Sequence, residues 1–252
     1  MKINKLKIPG IILVRTNSKR LPEKCFLNFG KYSVLHHVVQ RCLHYNINPI
    51  ICTTTLSSDD KIVKLAKMLN IPFYRGSSNN KILRISNCCK KFKLDFFHTI
   101  DADDPFFCGA EVRRSIGELV NKRFDIIEPT VISSKGSGLV GYSAKSIVFH
   151  NIVKKISSNK NTEMMWGFFK KAKNIKIKKL SQSKFDIKSR LTLDYYEDYI
   201  LLQSIRLILG NFASRKDIVK ILKKNADLLK VNMFRNKEWS DNQKKHLQNQ
   251  ND

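Results

Sequence analysis

The chain of 252 residues holds no apolar run near the ~20 residues needed to cross a bilayer. Its opening segment, Met1 to Pro9, is charged and has no separate apolar stretch before a small-residue cleavage site, so no signal peptide is expected. The cysteines at 25, 42, 52, 88, 89 and 108 form no Cys-x-x-Cys pair, which removes the usual zinc and redox motifs. Cys42 and Cys52 fall in apolar segments, as small core residues do. Reduced thiols and a cytoplasmic location are the expectation. Gly-x-x-x-x-Gly-Lys-Ser/Thr and Gly-x-Gly-x-x-Gly are both missing, so neither common glycine-based phosphate loop is present. No internal repeat occurs. Acidic residues are few, 21 against 47 Lys and Arg, for a formal net charge of +26.

Such an excess raises nucleic-acid or membrane-surface binding. The lysines, however, are spread along the whole chain among many Asn and Ile. No nucleic-acid motif and no interleaved pattern of aromatics accompanies them. A non-catalytic basic nucleic-acid-binding protein therefore stays only as an alternative. The preferred use of the charge is long-range steering of small anionic ligands.

Hydrophobic residues, at 42%, suffice for a full core. Gly10 to Val14 reads as a buried parallel strand. Ser33 caps a helix with Val34, Leu35, Val38, Val39 and Cys42 on one face. Pro49–Thr53, Ile71–Tyr74 and Leu94–Ile100 read as further strands. Helices between them start near Ser57 or Ser58 and span Asn80 to Lys91. This alternation predicts a doubly wound, mostly parallel α/β sheet. Ser143–Val153 and Thr162–Ala172, with Thr162 as a cap, are expected to be helices. Ser133–Gly138 is expected to be a flexible loop. Further helices follow Asp194 and cover Lys216 to Lys223. Residues 236–252 are polar and expected to be disordered.

The polar loop leaving the first strand carries Arg15, Lys19, Arg20 and Lys24, with Ser18 as a further donor. Ligands bind at the carboxyl ends of parallel strands, and these cations can gather around a polyphosphate. Asp101-Ala-Asp-Asp-Pro105 follows the fourth strand at the same edge. Mg²⁺ arriving with a triphosphate needs one or two carboxylates. Asp101-Ala-Asp103 also spells the Asp-x-Asp of a metal-dependent glycosyltransferase acting on a nucleotide-sugar, which stays as a second alternative. No histidine is placed as a base; His98 lies within a strand and reads as structural.

Arg15, Ser18, Arg20, Leu21, Pro22 and Lys24 resemble the Arg-x-x-Ser-x-Arg-Leu-Pro-x-Lys signature of cytidylyltransferases that activate acidic sugars. That family includes the 3-deoxy-manno-octulosonate and acylneuraminate enzymes and the SpsF-like spore-coat polysaccharide proteins. Thr53–Asp60, Tyr74-Arg-Gly-Ser77 with Leu83-Arg84, and Arg190-Leu-Thr-Leu-Asp194 through Asp198 extend the likeness. The resemblance implies a nucleotide-diphospho-sugar transferase fold over residues 1–235, with an acceptor and dimerisation insertion over about 129–187. It implies CTP bound by Arg15, Ser18, Arg20, Lys24, Thr53, Arg75, Ser77 and Arg84. It implies Mg²⁺ held by Asp103 and Asp194, catalysis by Arg15, Lys24, Asp103 and Asp194, and a homodimer. Lys135, Ser137 and Glu163 are candidates for an acidic sugar acceptor. The sequence departs from the pattern at Asn79-Asn80, at Tyr195-Tyr196 and at Met164, so the sugar end is matched less well than the nucleotide end.

Overall fold

The computed structural model describes residues 7–121 and 123–248. Strands β1 (Ile8–Leu13), β4 (Ile47–Thr54), β5 (Phe73–Gly76) and β6 (Phe96–Asp101) run parallel in the order β5-β4-β1-β6. The sheet continues through β8 (Ser143–Lys145), which is antiparallel to both β6 and β7 (Ile126–Glu128), and ends at β9 (Ile177–Lys179). β2 (Asn28–Phe29) and β3 (Tyr32–Ser33) form a separate short hairpin. The order reverses at β1, so the crevice between the exits of β1 and β6 is the topological switch point where such sheets bind ligands.

β1 is buried on both faces, and successive residues go to opposite cores. Ile8 and Ile12 pack with α1 (Val34–His44), α2 (Asp60–Met68) and α4 (Gly109–Asn121) through Val38, Val39, Ala66, Val112 and Ile116. Ile11 and Leu13 pack with α3 (Lys81–Lys91), α5 (Ser146–Val153) and α6 (Trp166–Lys171) through Ile85, Cys89, Phe149 and Phe169. Gly10 lets the neighbours of β1 come together. A Cβ there would stand 2.6 Å from Ile47 Cγ2 and 2.9 Å from Ile100 Cδ1. A third cluster joins Phe106 to Leu191, Leu193, Leu201, Leu202 and Ile218. It seats α7 (Tyr196–Leu209) and α8 (Arg215–Lys224) beside the end of β6.

Three expectations are corrected. Ser143–Val153 is not one helix, because Ser143–Lys145 pairs with β6 and β7 before α5 begins. Thr162 caps no helix; α6 begins only at Trp166. Its buried hydroxyl accepts from Ile82 N at 3.0 Å and donates to Asn80 Oδ1 at 3.1 Å. The polar segment after Asn236 is helical, not disordered, through Gln248. It lies in α10 (Arg235–Gln248), preceded by α9 (Asp227–Met233). Residues 249–252 lie outside the described residues. Among the described residues no helix is long and apolar enough to cross a membrane.

Candidate active site at the carboxyl edge of the sheet

The basic loop is anchored before it spreads its cations. Thr16 donates from both its backbone N and its Oγ1 to Asp59 Oδ1 at 2.8 Å. Thr53 Oγ1, Thr54 N and Thr54 Oγ1 donate to the other oxygen, Oδ2. One buried carboxylate thus ties the exit of β1 to the exit of β4. Burial pushes the Asp59 carboxyl up, but the bonds from Thr54, Thr16 and Thr53 more than offset it and hold it below its ordinary value. Beyond Thr16 the loop turns on Ser18, whose Oγ accepts from Leu21 N at 3.4 Å. Glu23, at φ 50°, then reverses the chain into the single turn Lys24–Phe26.

The acidic loop after β6 is held from two sides. From α1, His37 Nε2 contacts Pro105 O at 3.0 Å, and the fully buried Arg41 donates to Phe107 O at 2.8 Å and Ala213 O at 3.0 Å. From the segment preceding α7, Leu193 N donates to Asp103 O at 2.7 Å. Leu191 N and Thr192 N meanwhile donate to Gly136 O. Backbone bonds, then, set Asp103 beside Asp194.

Lys24 closes the arrangement. Its Nζ lies 2.5 Å from Asp103 Oδ2, 2.8 Å from Asp194 Oδ1 and 2.7 Å from Leu193 O. Arg20 Nη2 is 2.6 Å from the same Asp194 oxygen. Arg190 Nη2 is 3.3 Å from Asp194 Oδ2, while its Nε and Nη2 reach Asp198 at 2.7 and 2.9 Å. Three cations therefore face three carboxylates. Burial pulls the Lys24 ammonium pKa down, yet Asp103 and Asp194 more than offset it and raise it above the ordinary lysine range. Burial likewise pushes Asp194 up, and Lys24 and Arg20 hold it well below the ordinary carboxylate range. Asp101 is different. Burial, aided by Asp103 and Glu163 against Lys81 and Lys24, pushes it up to about 6.

The remaining candidates divide. Arg15, exposed, pairs with Glu163 at 3.2 Å, so one acceptor candidate sits against the basic loop. Arg75 bolts the end of β5 to the β4–α2 connection, donating to Thr54 O and Leu56 O and pairing with Asp60 at 2.7 Å. Ser77 Oγ accepts from Asn80 N at 2.9 Å at the start of α3. Three of the candidate ligand contacts are turned inward. Thr53 is fully buried with its hydroxyl on Asp59, and Arg84 is buried with Nη1 on Ser77 O at 2.6 Å. Ser137 is fully buried, accepting from Arg215 through both its carbonyl and its hydroxyl. These side chains build the frame of the site. The Ser133–Gly138 segment is likewise no flexible loop: Ser133 Oγ binds Leu139 N, Val140 N and Val140 O, and Lys135 stays exposed at its turn. His98 is structural as expected; it is fully buried, 2.8 Å from Ser143 Oγ, and burial pushes it down to about 3.

Sequence reasoning missed Asp59, Arg190 and Asp198. Asp198, fully buried, also accepts from the backbone N of Asp194 and of Tyr195 at 2.8 and 2.9 Å. An aspartate in the first turn of a helix complements the dipole whatever else it binds, so its position alone does not mark it. The available signal was an aspartate four residues after another at a helix start, with an arginine four before.

The family profile described as cytidylyltransferase matches residues 10–222. An uncharacterized protein of Methanocaldococcus jannaschii is 28% identical over 151 residues, 59% of this chain and 60% of that protein, so the match spans less than two thirds of the relative's length. A cytidylyltransferase structure from Leptospira borgpetersenii superposes with a TM-score of 0.78 at 22% identity, covering 89% of this chain and 97% of that one. A CMP:2-keto-3-deoxy-manno-octonic acid synthetase solved with CTP superposes at 0.62 with 13% identity, covering 80% and 99%. These structures share the fold, and the profile spans all the segments from which the cations and carboxylates above project. With more than half of its length matched, the chain belongs to the cytidylyltransferase family.

Proposed function

We propose that the protein is a cytoplasmic enzyme that transfers CMP from CTP to the hydroxyl of an acidic sugar. It releases pyrophosphate and supplies a CMP-sugar for surface polysaccharide or glycan synthesis. The observation that carries this reading is Lys24 Nζ bridging Asp103, after β6, and Asp194, before α7. Arg15, Ser18, Arg20 and Lys24 would take the triphosphate. Arg75 and Ser77, at the exit of β5, would lie toward the nucleoside. Lys135 and Glu163 would serve the acceptor, and the active unit would be a homodimer.

The residues present fit a magnesium ion. Lys24 already sits among three oxygens from Asp103, Asp194 and Leu193, a donor set suited to a hard cation. Among the described residues no three acidic, His or Cys side chains gather as a complete metal cage. Mg²⁺ demands none, because it keeps waters and takes phosphate oxygens from its nucleotide. Asp103 and Asp194 would hold it once Lys24 turns to the phosphates. When bound, the ion supplies charge neutralisation and lowers the pKa of a neighbouring hydroxyl.

The rest of the work falls to the chain. Lys24 stays protonated at neutral pH and supplies positive charge where pyrophosphate departs. Arg15 and Arg20 hold the triphosphate for in-line attack, and catalysis of this kind is mostly positioning. His98 is not the base, because its ring is buried within β6.

The test is pyrophosphate release from CTP, UTP, ATP and GTP, each with a panel of acidic sugars. Release from CTP with one of those sugars is the expected result. Silence across the panel, together with hydrolysis of nucleotide-sugars, would replace this reading with the glycosyltransferase one through Asp101 and Asp103.

A further inference from the structure

The family match ends at residue 222, and the chain continues into α9 and α10. Those helices pack against the Asp194 side of the site. Asn232, fully buried in α9, donates from Nδ2 to Arg190 O at 2.8 Å and to Asp198 Oδ1 at 2.9 Å. In α10, Asn236 Oδ1 accepts from Arg190 Nη1 at 3.4 Å, and the Trp239 ring lies 5.7 Å from the Arg190 guanidinium. Arg235 pairs with Glu197 of α7 at 2.8 Å. The guanidinium groups of Arg20, Arg190 and Arg235 all stand over the Tyr195 ring, at 5.6, 5.1 and 5.0 Å.

These contacts converge on one geometric consequence. Asp198 fixes the backbone from which Asp194 projects, through the N–H groups of residues 194 and 195. It also holds Arg190 in a two-point grip, the geometry an arginine fork favours. Arg190 then reaches Asp194 only at 3.3 Å, on the oxygen that Lys24 and Arg20 leave open. Were Asp198 without the Asn232 amide and the Arg190 guanidinium without Asn236 and Trp239, the fork could turn onto Asp194 and draw that carboxylate from the Lys24 side. Groups that hold a metal-binding carboxylate from behind commonly change metal affinity ten- to a hundredfold when lost.

We propose that α9–α10 is a positioning element of the active site: Asn232, acting through Arg190 and Asp198, sets the orientation of the Asp194 carboxylate, and Trp239 is coupled to the state of that carboxylate. The proposal rests on the reading of Asp194 as the carboxylate that meets Mg²⁺ with CTP.

The test uses the full chain and calorimetric CTP binding in Mg²⁺ and in EDTA. Asn232→Leu keeps the side-chain volume and removes both donations. In wild type, Mg²⁺ should tighten CTP binding. In N232L that tightening should fall about tenfold or more, with binding in EDTA within about threefold of wild type. Asn236→Ala, a milder change in a partly exposed position, should show the same pattern at about threefold and serves if N232L does not fold. In a Trp166→Phe background, which leaves Trp239 as the sole tryptophan, emission should shift on CTP binding with the calorimetric Kd.

Unchanged Mg²⁺ tightening in a folded variant overturns the positioning role and leaves the CTP reading standing. So does a silent Trp239 while calorimetry records binding. Equal CTP affinity of wild type in Mg²⁺ and EDTA overturns it too, by removing the metal from Asp194. Absence of any CTP binding to wild type overturns the reading of the site and this proposal with it.

Discussion

Lys24 and Asp194 are separated by 170 positions in the chain and by 2.8 Å in space. Ion pairs of this kind form in many folds. The setting of this one gives it meaning: Lys24 leaves β1, Asp103 follows β6, Asp194 precedes α7, and all meet at the sheet's switch point. Removing one partner leaves the others uncompensated in a mostly buried place, so the cluster is costly to break and responsive to an arriving anion.

Lys24→Met is expected to lower stability by about 3 kcal/mol at pH 7, read by urea unfolding. Adding Asp194→Asn should recover part of that loss, with a coupling of at least about 1 kcal/mol. Additive effects would show that the bridge contributes nothing. The pH window follows from the directions of shift. Asp194 is depressed, so its share is present above about pH 4 and fades as pH falls. Lys24 is raised, so its share is present below about pH 10 and fades as pH rises. The gap between wild type and K24M should be flat from about pH 8 to 10 and change below that, where Asp101, pushed up to about 6 and held down in part by Lys24, also titrates.

Asp59→Asn is expected to cost about 2–4 kcal/mol, because three hydroxyl and two backbone donors then share one neutral amide oxygen in a buried site. The exit of β1 should loosen with it. Hydrogen exchange at Thr16 and Thr54 amides reads this directly; protection equal to wild type would show that the loop is anchored elsewhere.

His37 and His98 are both buried and both pushed down to about 3, chiefly by burial. Each binds its proton only after unfolding across the interval from about 6.5 down, so stability should fall as pH falls through it. The slope is about 1.4 kcal/mol per pH unit for each ring well below pH 6.5. In urea unfolding at pH 6 and pH 5, His98→Asn should remove about half of that acid limb. A limb unchanged in the variant would place the titration on other groups.

Much of this was legible in the chain, and the gaps have a common cause. β1, β4 and β6 are short apolar runs that end in polar loops, so their exits and the residues on them could be read locally. Lys24 and Asp103 follow such exits, and Asp194 precedes a helix start, each within a recognisable pattern. Ser143–Lys145 looked helical because its strand conformation comes from partners at residues 96–98 and 126–127. Thr162 looked like a cap because nothing nearby shows that α3 takes its hydroxyl. Thr53 and Ser137 looked like available donors, and the groups that bury them, Asp59 and Arg215, act only in three dimensions. The polar segment after Asn236 has little apolar content of its own. Its helix is held by Arg235 on Glu197 and by Trp239 over Arg190.

Chelation should abolish CTP turnover and Mg²⁺ should restore it. Asp103→Asn should lower turnover at least about a hundredfold at saturating CTP, the scale seen when a single charge-stabilising group is lost. Pyrophosphate release measures both. Full Mg²⁺-dependent turnover in the variant would remove Asp103 from the metal site.

The cations of the first loop and the carboxylates of Asp103 and Asp194 are expected to share one metal-bound nucleotide. Crystals grown with CTP and Mn²⁺, read by anomalous scattering at the manganese edge, address it directly. The expected result is a manganese peak in direct contact with Asp103 and Asp194, with the triphosphate against Lys24 and Arg15. A nucleotide bound outside that crevice, or a peak that touches neither carboxylate, would contradict it.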